Sequence, residues 1–168
     1  NSIRQIYKYN GVEGAYKSWT AYGVTTKQTS VKPTGYDEAY LSTLGSATYP
    51  AFWYLPFSLA IGQSVSIEVQ LRKNASMTYL PRVYLMASIG NPLTGATPID
   101  TFTMTDSTNT WESDTFSITN STNYDQDYTL WFVAQNASGN AYSAYKITTQ
   151  GGSGGGAVRI LPFGGIGL

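Results

Sequence analysis

Ser64-Val-Ser-Ile-Glu-Val-Gln-Leu-Arg72 is the stretch that decides the fold. Val65, Ile67, Val69 and Leu71 alternate with Ser64, Ser66, Glu68, Gln70 and Arg72. Successive side chains of a strand point to opposite faces, so this period of two makes one apolar and one polar face. A half-buried β-strand is the reading. Residues 82–89 repeat the pattern, with Val83, Leu85, Ala87 and Ile89 on one face. The connection 73–81 is turn-rich, and the two strands are expected to pair antiparallel.

Working outward, residues 127–135 place Tyr128, Leu130, Phe132 and Ala134 against Thr129, Trp131, Val133 and Gln135. Both faces are apolar there, which predicts a central strand covered on each side. The turn Asn136-Ala-Ser-Gly-Asn140 leads to residues 141–149, and this pair reads as a hairpin. Weaker strands are expected at 3–9, 15–24, 38–42, 99–104, 112–119 and 157–163, with Asn10-Gly11 as a further hairpin turn. No stretch has a capped 3.6-residue apolar period. Short strands divided by Gly, Pro, Asn and Ser clusters predict an all-β chain, an antiparallel β-sandwich of jelly-roll type. The strand order is not derivable from the pattern.

The chain has 168 residues, the size of one domain, enough to bury about 70% of its unfolded surface. Charged residues make up 12%, about half the usual share of roughly 25%. Tyr, Thr, Ser, Asn and Gly take their place, a composition common at extracellular and virion surfaces. Ten Lys and Arg balance ten Asp and Glu, and no basic run offers itself to phosphates. A nucleic-acid partner is therefore not expected. Weak repulsion between copies is compatible with dense packing. No apolar stretch is long enough to span a membrane as a helix. Without His or Cys, disulfides, zinc and iron–sulfur sites, Cys nucleophiles and His-dependent triads are excluded. A first residue of Asn suggests upstream processing, although no signal peptide is visible.

The expected layout is a sandwich over 1–150, a glycine-rich tether Gly151-Gly-Ser-Gly-Gly-Gly156, and a docking segment over 157–168. Val158, Ile160, Leu161 and Phe163 would forgo roughly 1.5–3 kcal/mol each if left in water. The segment therefore completes its own sheet or crosses to a neighbouring copy.

Carboxylates are the remaining catalytic candidates: Asp37-Glu38, Asp106, Glu112, Asp114 and Asp125-Gln-Asp127. Turn and cap roles account for them. No cofactor is expected. Asp125 and Asp127, with Asn123, form a weak calcium candidate without the full loop spacing of an EF-hand. The serines lack a nucleophile elbow, and the glycine run lacks the Lys-Ser/Thr of a phosphate loop.

Aromatics are the richest material. Trp19, Tyr22, Trp53, Tyr54, Trp111 and Tyr142 are candidate glycan-stacking residues, since sugar C–H faces stack on rings while neighbouring amides take the hydroxyls. In Pro50-Ala-Phe-Trp-Tyr-Leu-Pro-Phe57, alternate rings point to opposite sides if the run is extended. Asn74-Ala-Ser76, Asn120-Ser-Thr122 and Asn136-Ala-Ser138 are sequons in predicted turns, making Asn74, Asn120 and Asn136 possible N-glycosylation sites.

Gln5-Ile-Tyr-Lys-Tyr-Asn-Gly11 followed by Trp19 resembles short hairpins that recur in bacteriophage tail and adhesin proteins. Residues 64–149, including Trp111-Glu-Ser-Asp-Thr-Phe-Ser-Ile118, are similar in texture to jelly-roll carbohydrate-binding modules, though no binding motif transfers residue by residue. The tethered C-terminal strand resembles the donor strands of extracellular pili. These resemblances imply a β-sandwich on an outer surface.

Three functions follow as expectations, none enzymatic. The first is a structural protein of a virion or extracellular surface appendage, self-assembling into a homo-oligomer or larger assembly. Its contacts would be Ile3, Ile6, Tyr7 and Tyr9 at one end and Val158, Ile160, Leu161 and Phe163 at the other. The second is a carbohydrate-binding module of a larger secreted protein, with a cell-surface glycan as partner. The third is a filament subunit of donor-strand type.

Overall fold

The computed structural model describes residues 24–43, 51–87, 92, 95–105, 107–134, 139–150, 159–160 and 165–166. These contain eleven strands: β1 Val24–Gln28, β2 Ala39–Thr43, β3 Ala51–Leu59, β4 Ser64–Lys73, β5 Arg82–Ala87, β6 Asp100–Thr103, β7 Glu112–Thr119, β8 Gln126–Ala134, β9 Asn140–Gln150, β10 Arg159–Ile160 and β11 Gly165–Ile166. One sheet runs β1-β2-β9-β4-β7 and the other β10-β3-β8-β5-β6, with β11 also on β3. Every pairing is antiparallel. The eight strands β2-β9-β4-β7 and β3-β8-β5-β6 form a jelly roll, extended by β1 on one sheet and by β10 and β11 on the other.

β4 alternates between buried and half-buried positions along its whole length, as its sequence dictates. β8 lies between β3 and β5, and residues 128–134 are buried on both faces. Val65, Ile67, Val69 and Leu71 share the main core with Trp53, Leu55, Phe57 and Leu59 of β3, Val83 and Leu85 of β5, and Leu130 and Phe132 of β8. The indole Nε1 of Trp53 donates to Ser143 Oγ at 2.8 Å, a buried bond from one sheet to the other. It satisfies the one polar atom that this ring brings into the core.

Two expected pairings are corrected. β4 and β5 do not pair: β4 lies between β7 and β9, and β5 between β6 and β8. β8 and β9 likewise belong to opposite sheets. An apolar strand face is equally satisfied beside its sequence neighbour or across the roughly 10 Å between packed sheets. In a jelly roll the connection takes the second route.

β3 was not among the expected strands. Its run is legible only as alternating if extended, and it carries Pro56, a residue that argues against a paired strand. Here Arg159–Ile160 pairs with Phe57 and Ser58, and Gly165–Ile166 pairs with Trp53 and Tyr54. Leu55 and Pro56 lie between the two described pairings, and a proline is tolerated in a strand where its missing N–H faces away from a ladder bond. The backbone at 159–160 and 165–166 thus completes the chain's own sheet. The side chains of the C-terminal segment, including Val158, Ile160, Leu161 and Phe163, lie outside the described residues, as do the tether and Ile3, Ile6, Tyr7 and Tyr9.

Asn120 holds the turn between β7 and β8 against the end of β3. It is fully buried. Its Nδ2 donates to the carbonyls of Leu59 (3.0 Å), Ala60 (3.3 Å) and Tyr124 (2.8 Å). Its Oδ1 accepts from the N–H and hydroxyl of Thr122, at 3.0 and 2.6 Å. The same sequon that suggested a glycan site therefore serves as an internal hydrogen-bond hub, and its amide nitrogen is unavailable for glycosylation. Replacing Asn120 by Ala strands several buried acceptors, and urea unfolding is expected to show a loss of about 3 kcal/mol. A destabilisation below about 0.5 kcal/mol would show that the hub carries no weight.

Candidate functional site

Strand parity sends Glu68, Gln70 and Arg72 of β4 and Tyr142, Ala144 and Lys146 of β9 to the outer face of the five-stranded sheet. The register pairs Arg72 with Tyr142, Gln70 with Ala144, and Glu68 with Lys146. On the other side of β4, Gln70 pairs with Ser113 and Leu71 with Glu112. Trp111, one residue beyond that ladder, continues the row on the far side of Arg72. Trp111 and Tyr142 are both half-buried. Their rings meet edge to face, 6.3 Å apart at 65°. The Arg72 guanidinium lies 5.9 Å from the centre of the Tyr142 ring.

Tyr36 covers the other end of this face. The turn Pro33-Thr-Gly-Tyr36 closes with Tyr36 N–H donating to Pro33 O at 3.1 Å, and Gly35 takes a φ of +85°. That is the third position of a type II turn, where glycine is favoured. The turn sets Tyr36 against Ala39 and Ala144, whose small side chains leave room for it, and Trp111 packs on the same cluster. Tyr36 Oη donates to Glu68 Oε1 at 2.5 Å. Lys146 Nζ stands 4.1 Å from the centre of the Tyr36 ring and donates to Gly35 O. Burial, followed by the hydrogen bond to Glu68 and its charge, pushes the Tyr36 phenol well above its ordinary range. Beside it a cleft of about 250 Å³ is lined by Tyr36, Asp37, Glu38, Tyr40, Tyr145 and Lys146. Glu38 there is held by Lys27 at 3.4 Å and by the Tyr40 hydroxyl at 3.1 Å.

The candidate stacking residues divide. Trp111 and Tyr142 are brought together. Trp53 and Tyr54 are corrected: both are 4% exposed and belong to the two apolar faces of β3. Tyr54 stacks on Trp131 at 4.7 Å and shares its cluster with Phe52, Met86 and Val133. Trp19 and Tyr22 lie outside the described residues, as does the sequon residue Asn136. Asn74 is exposed, and its Oδ1 accepts the Asn140 N–H at 2.7 Å. Asp125 is exposed, and no group of three or more acidic side chains among the described residues converges on it and Asp127. Arg72, Gln70 and Tyr36 were not singled out in the sequence. The parity of β4 points Arg72 and Gln70 outward, whereas Tyr36 offers only its turn.

Glu112 faces away from this surface. Burial pushes its carboxyl up, but hydrogen bonds from Ser107 and from the N–H and hydroxyl of Thr105, with Lys73 nearby, outweigh that and hold it below the ordinary carboxylate range.

The chain matches no protein-family model and no curated relative. Among solved structures it is similar to the enzymatically active domain of tailspike protein 4 of bacteriophage CBA120, with a TM-score of 0.48 and 9% identity over 75% of this chain. It spans only 18% of the length of that domain. It is also similar to a family 4 carbohydrate-binding module, with a TM-score of 0.48, 16% identity, and coverage of 79% of this chain and 84% of that one. A family 61 carbohydrate-binding module in complex with β-1,4-galactotriose gives a TM-score of 0.48 and 9% identity over 80% of this chain and 94% of that one.

The raised pKa of Tyr36 means that its protonated form is favoured on folding. The stability it contributes is present below the unfolded-state value near 10 and is lost as pH rises through the folded-state value. Absorbance titration at 295 nm is expected to show one fewer tyrosine resisting ionisation in Tyr36→Phe. Unfolding at pH 7 should cost this variant about 1.5–3 kcal/mol, the worth of a bond to a charged acceptor.

Proposed function

We propose that the chain is a non-catalytic, glycan-binding jelly-roll module displayed on an extracellular or virion surface, and that it binds sugar on the outer face of its five-stranded sheet. One observation carries this reading. Trp111 and Tyr142, thirty-one positions apart, meet on a partly open sheet face between polar side chains instead of disappearing into a core. Their rings can take the C–H faces of sugar units. Gln70, Glu68 and Arg72 on the strand between them supply an amide, a carboxylate and a guanidinium for hydroxyls. Most of the face is set by sheet register, so its groups are positioned before a ligand arrives, which lowers the cost of ordering them on binding.

The hydroxyl- and amide-rich composition supports the outer-surface location. The alternative of assembly through terminal segments has one observation against it: the C-terminal backbone is already paired with β3 of the same chain. Donor-strand exchange would have to break that pairing first.

Trp53 and Trp131 are buried, so among the tryptophans of the described residues a glycan that quenches fluorescence is expected to act through Trp111. Trp111→Ala and Tyr142→Ala should each weaken binding at least tenfold in calorimetry while leaving the unfolding transition cooperative. Wild-type protein that binds nothing on a broad glycan array would remove this reading.

A further inference from the structure

The charges of the five-stranded face are unequally satisfied. At one end Lys146 has the Tyr36 ring and the Gly35 carbonyl, and Glu68 has the Tyr36 hydroxyl. At the other end Arg72 has, among the described residues, the Tyr142 ring alone. Its Nε is buried and has no hydrogen-bond partner. Its neighbours on the face among the described residues are all neutral: Tyr142 beside it on β9, Trp111 on the β7 side, and Gln70 and Asn74 along its own strand. The nearest acid in sequence register, Glu112, faces the other way and is occupied by Thr105 and Ser107. The sole ion pair among the described residues, Lys27–Glu38, involves neither group.

A guanidinium is a planar fork of five donors that fits a carboxylate with two parallel bonds. Stacked on Tyr142 and flanked by Trp111, the fork is held at the level of the rings on which a sugar would lie. We infer that the ligand is an acidic glycan, a polysaccharide carrying uronate or an equivalent carboxylated sugar, whose carboxylate pairs with Arg72 while its ring lies against the open faces of Trp111 and Tyr142. The inference rests on the glycan-binding reading above and names the class of sugar. Neutral sugars would leave the guanidinium without its anionic partner at the centre of the site.

The test uses pairs of polymers that differ only in the carboxyl group: polygalacturonate, alginate and hyaluronan, each beside its carboxyl-reduced form. Wild-type protein is expected to bind at least one acidic polymer at least tenfold more tightly than its reduced partner, with affinity falling as salt rises. Arg72→Gln should abolish that preference, while Arg72→Lys, which keeps the charge but loses the fork, retains part of it. Thermal unfolding of both variants confirms that the sheet is intact. Trp111→Ala should weaken the acidic and reduced forms alike. Equal binding of acidic and reduced forms by the wild type overturns the role of Arg72 and leaves the aromatic site standing. Preference that survives in a folded Arg72→Gln also overturns it. Binding of none of the six polymers overturns the acidic class, and the broad array then decides the glycan reading separately.

Discussion

Val65, Ile67, Val69 and Leu71 from one sheet and Trp53, Leu55, Phe57 and Leu59 from the other are withdrawn from water in a shared layer. Burial of such side chains is worth roughly 1.5–3 kcal/mol each and is non-directional. Direction comes from strand parity and from the Trp53–Ser143 bond, which ties β3 to β9 across the layer. Once the odd residues of β4 and β9 are committed inward, the even residues have no choice of face. A slip of one residue would exchange the two sets and bury Glu68, Gln70 and Arg72. The same constraint that makes the core therefore places the candidate site.

The two outer faces diverge for reasons visible in their residues. On the six-stranded sheet, Phe52, Tyr54, Met86, Trp131 and Val133 form a second apolar cluster at no more than 4% exposure. Their rings contribute to stability and are closed to a ligand. On the five-stranded sheet the outward positions described are mostly Ser, Thr, Gln, Glu, Arg and Lys, with Leu41, Tyr142 and the small Ala39 and Ala144 among them. Those two small residues let Tyr36 and Trp111 lie across the sheet. Aromatic surface on this side is thus partly open and framed by hydrogen-bonding groups.

Much of the fold was legible because period two is a local signal. β4, β7 and β8 read correctly, and the all-β class follows from them. What parity does not encode is which sheet a strand joins, so β4–β5 and β8–β9 looked like hairpins and proved to be crossings. β3 was not among the expected strands, although its aromatic run alternates if extended, because a run that is apolar on both faces and carries Pro56 has no clear period of two. The same blind spot misplaced Trp53 and Tyr54: three successive rings cannot share one face, and both faces of β3 are covered. Trp111 and Tyr142 could be picked out as aromatics beside polar residues, but their meeting depends on the β9-β4-β7 order. Asn120 shows the converse, a surface-type sequon recruited to satisfy buried carbonyls.

Charge scarcity gives the remaining asymmetry its meaning. With 12% charged residues, this surface draws its solubility mainly from hydroxyls and amides, so an individual ion has few chances of a nearby counter-ion. Lys27 and Glu38 find each other, while Lys146 and Glu68 are each accommodated by Tyr36. Arg72 is set among neutral neighbours on an otherwise well-satisfied face. A long guanidinium side chain has rotamer freedom to reach solvent, yet here it is folded back over a ring with its Nε out of contact with water. Stacking on Tyr142 recovers part of that loss, since a cation over an aromatic face gains about 0.5–2 kcal/mol. Desolvating a donor without a partner costs about 1–3 kcal/mol. The two terms are of comparable size, so the place of this cation on the face is set by stacking rather than by an ion pair.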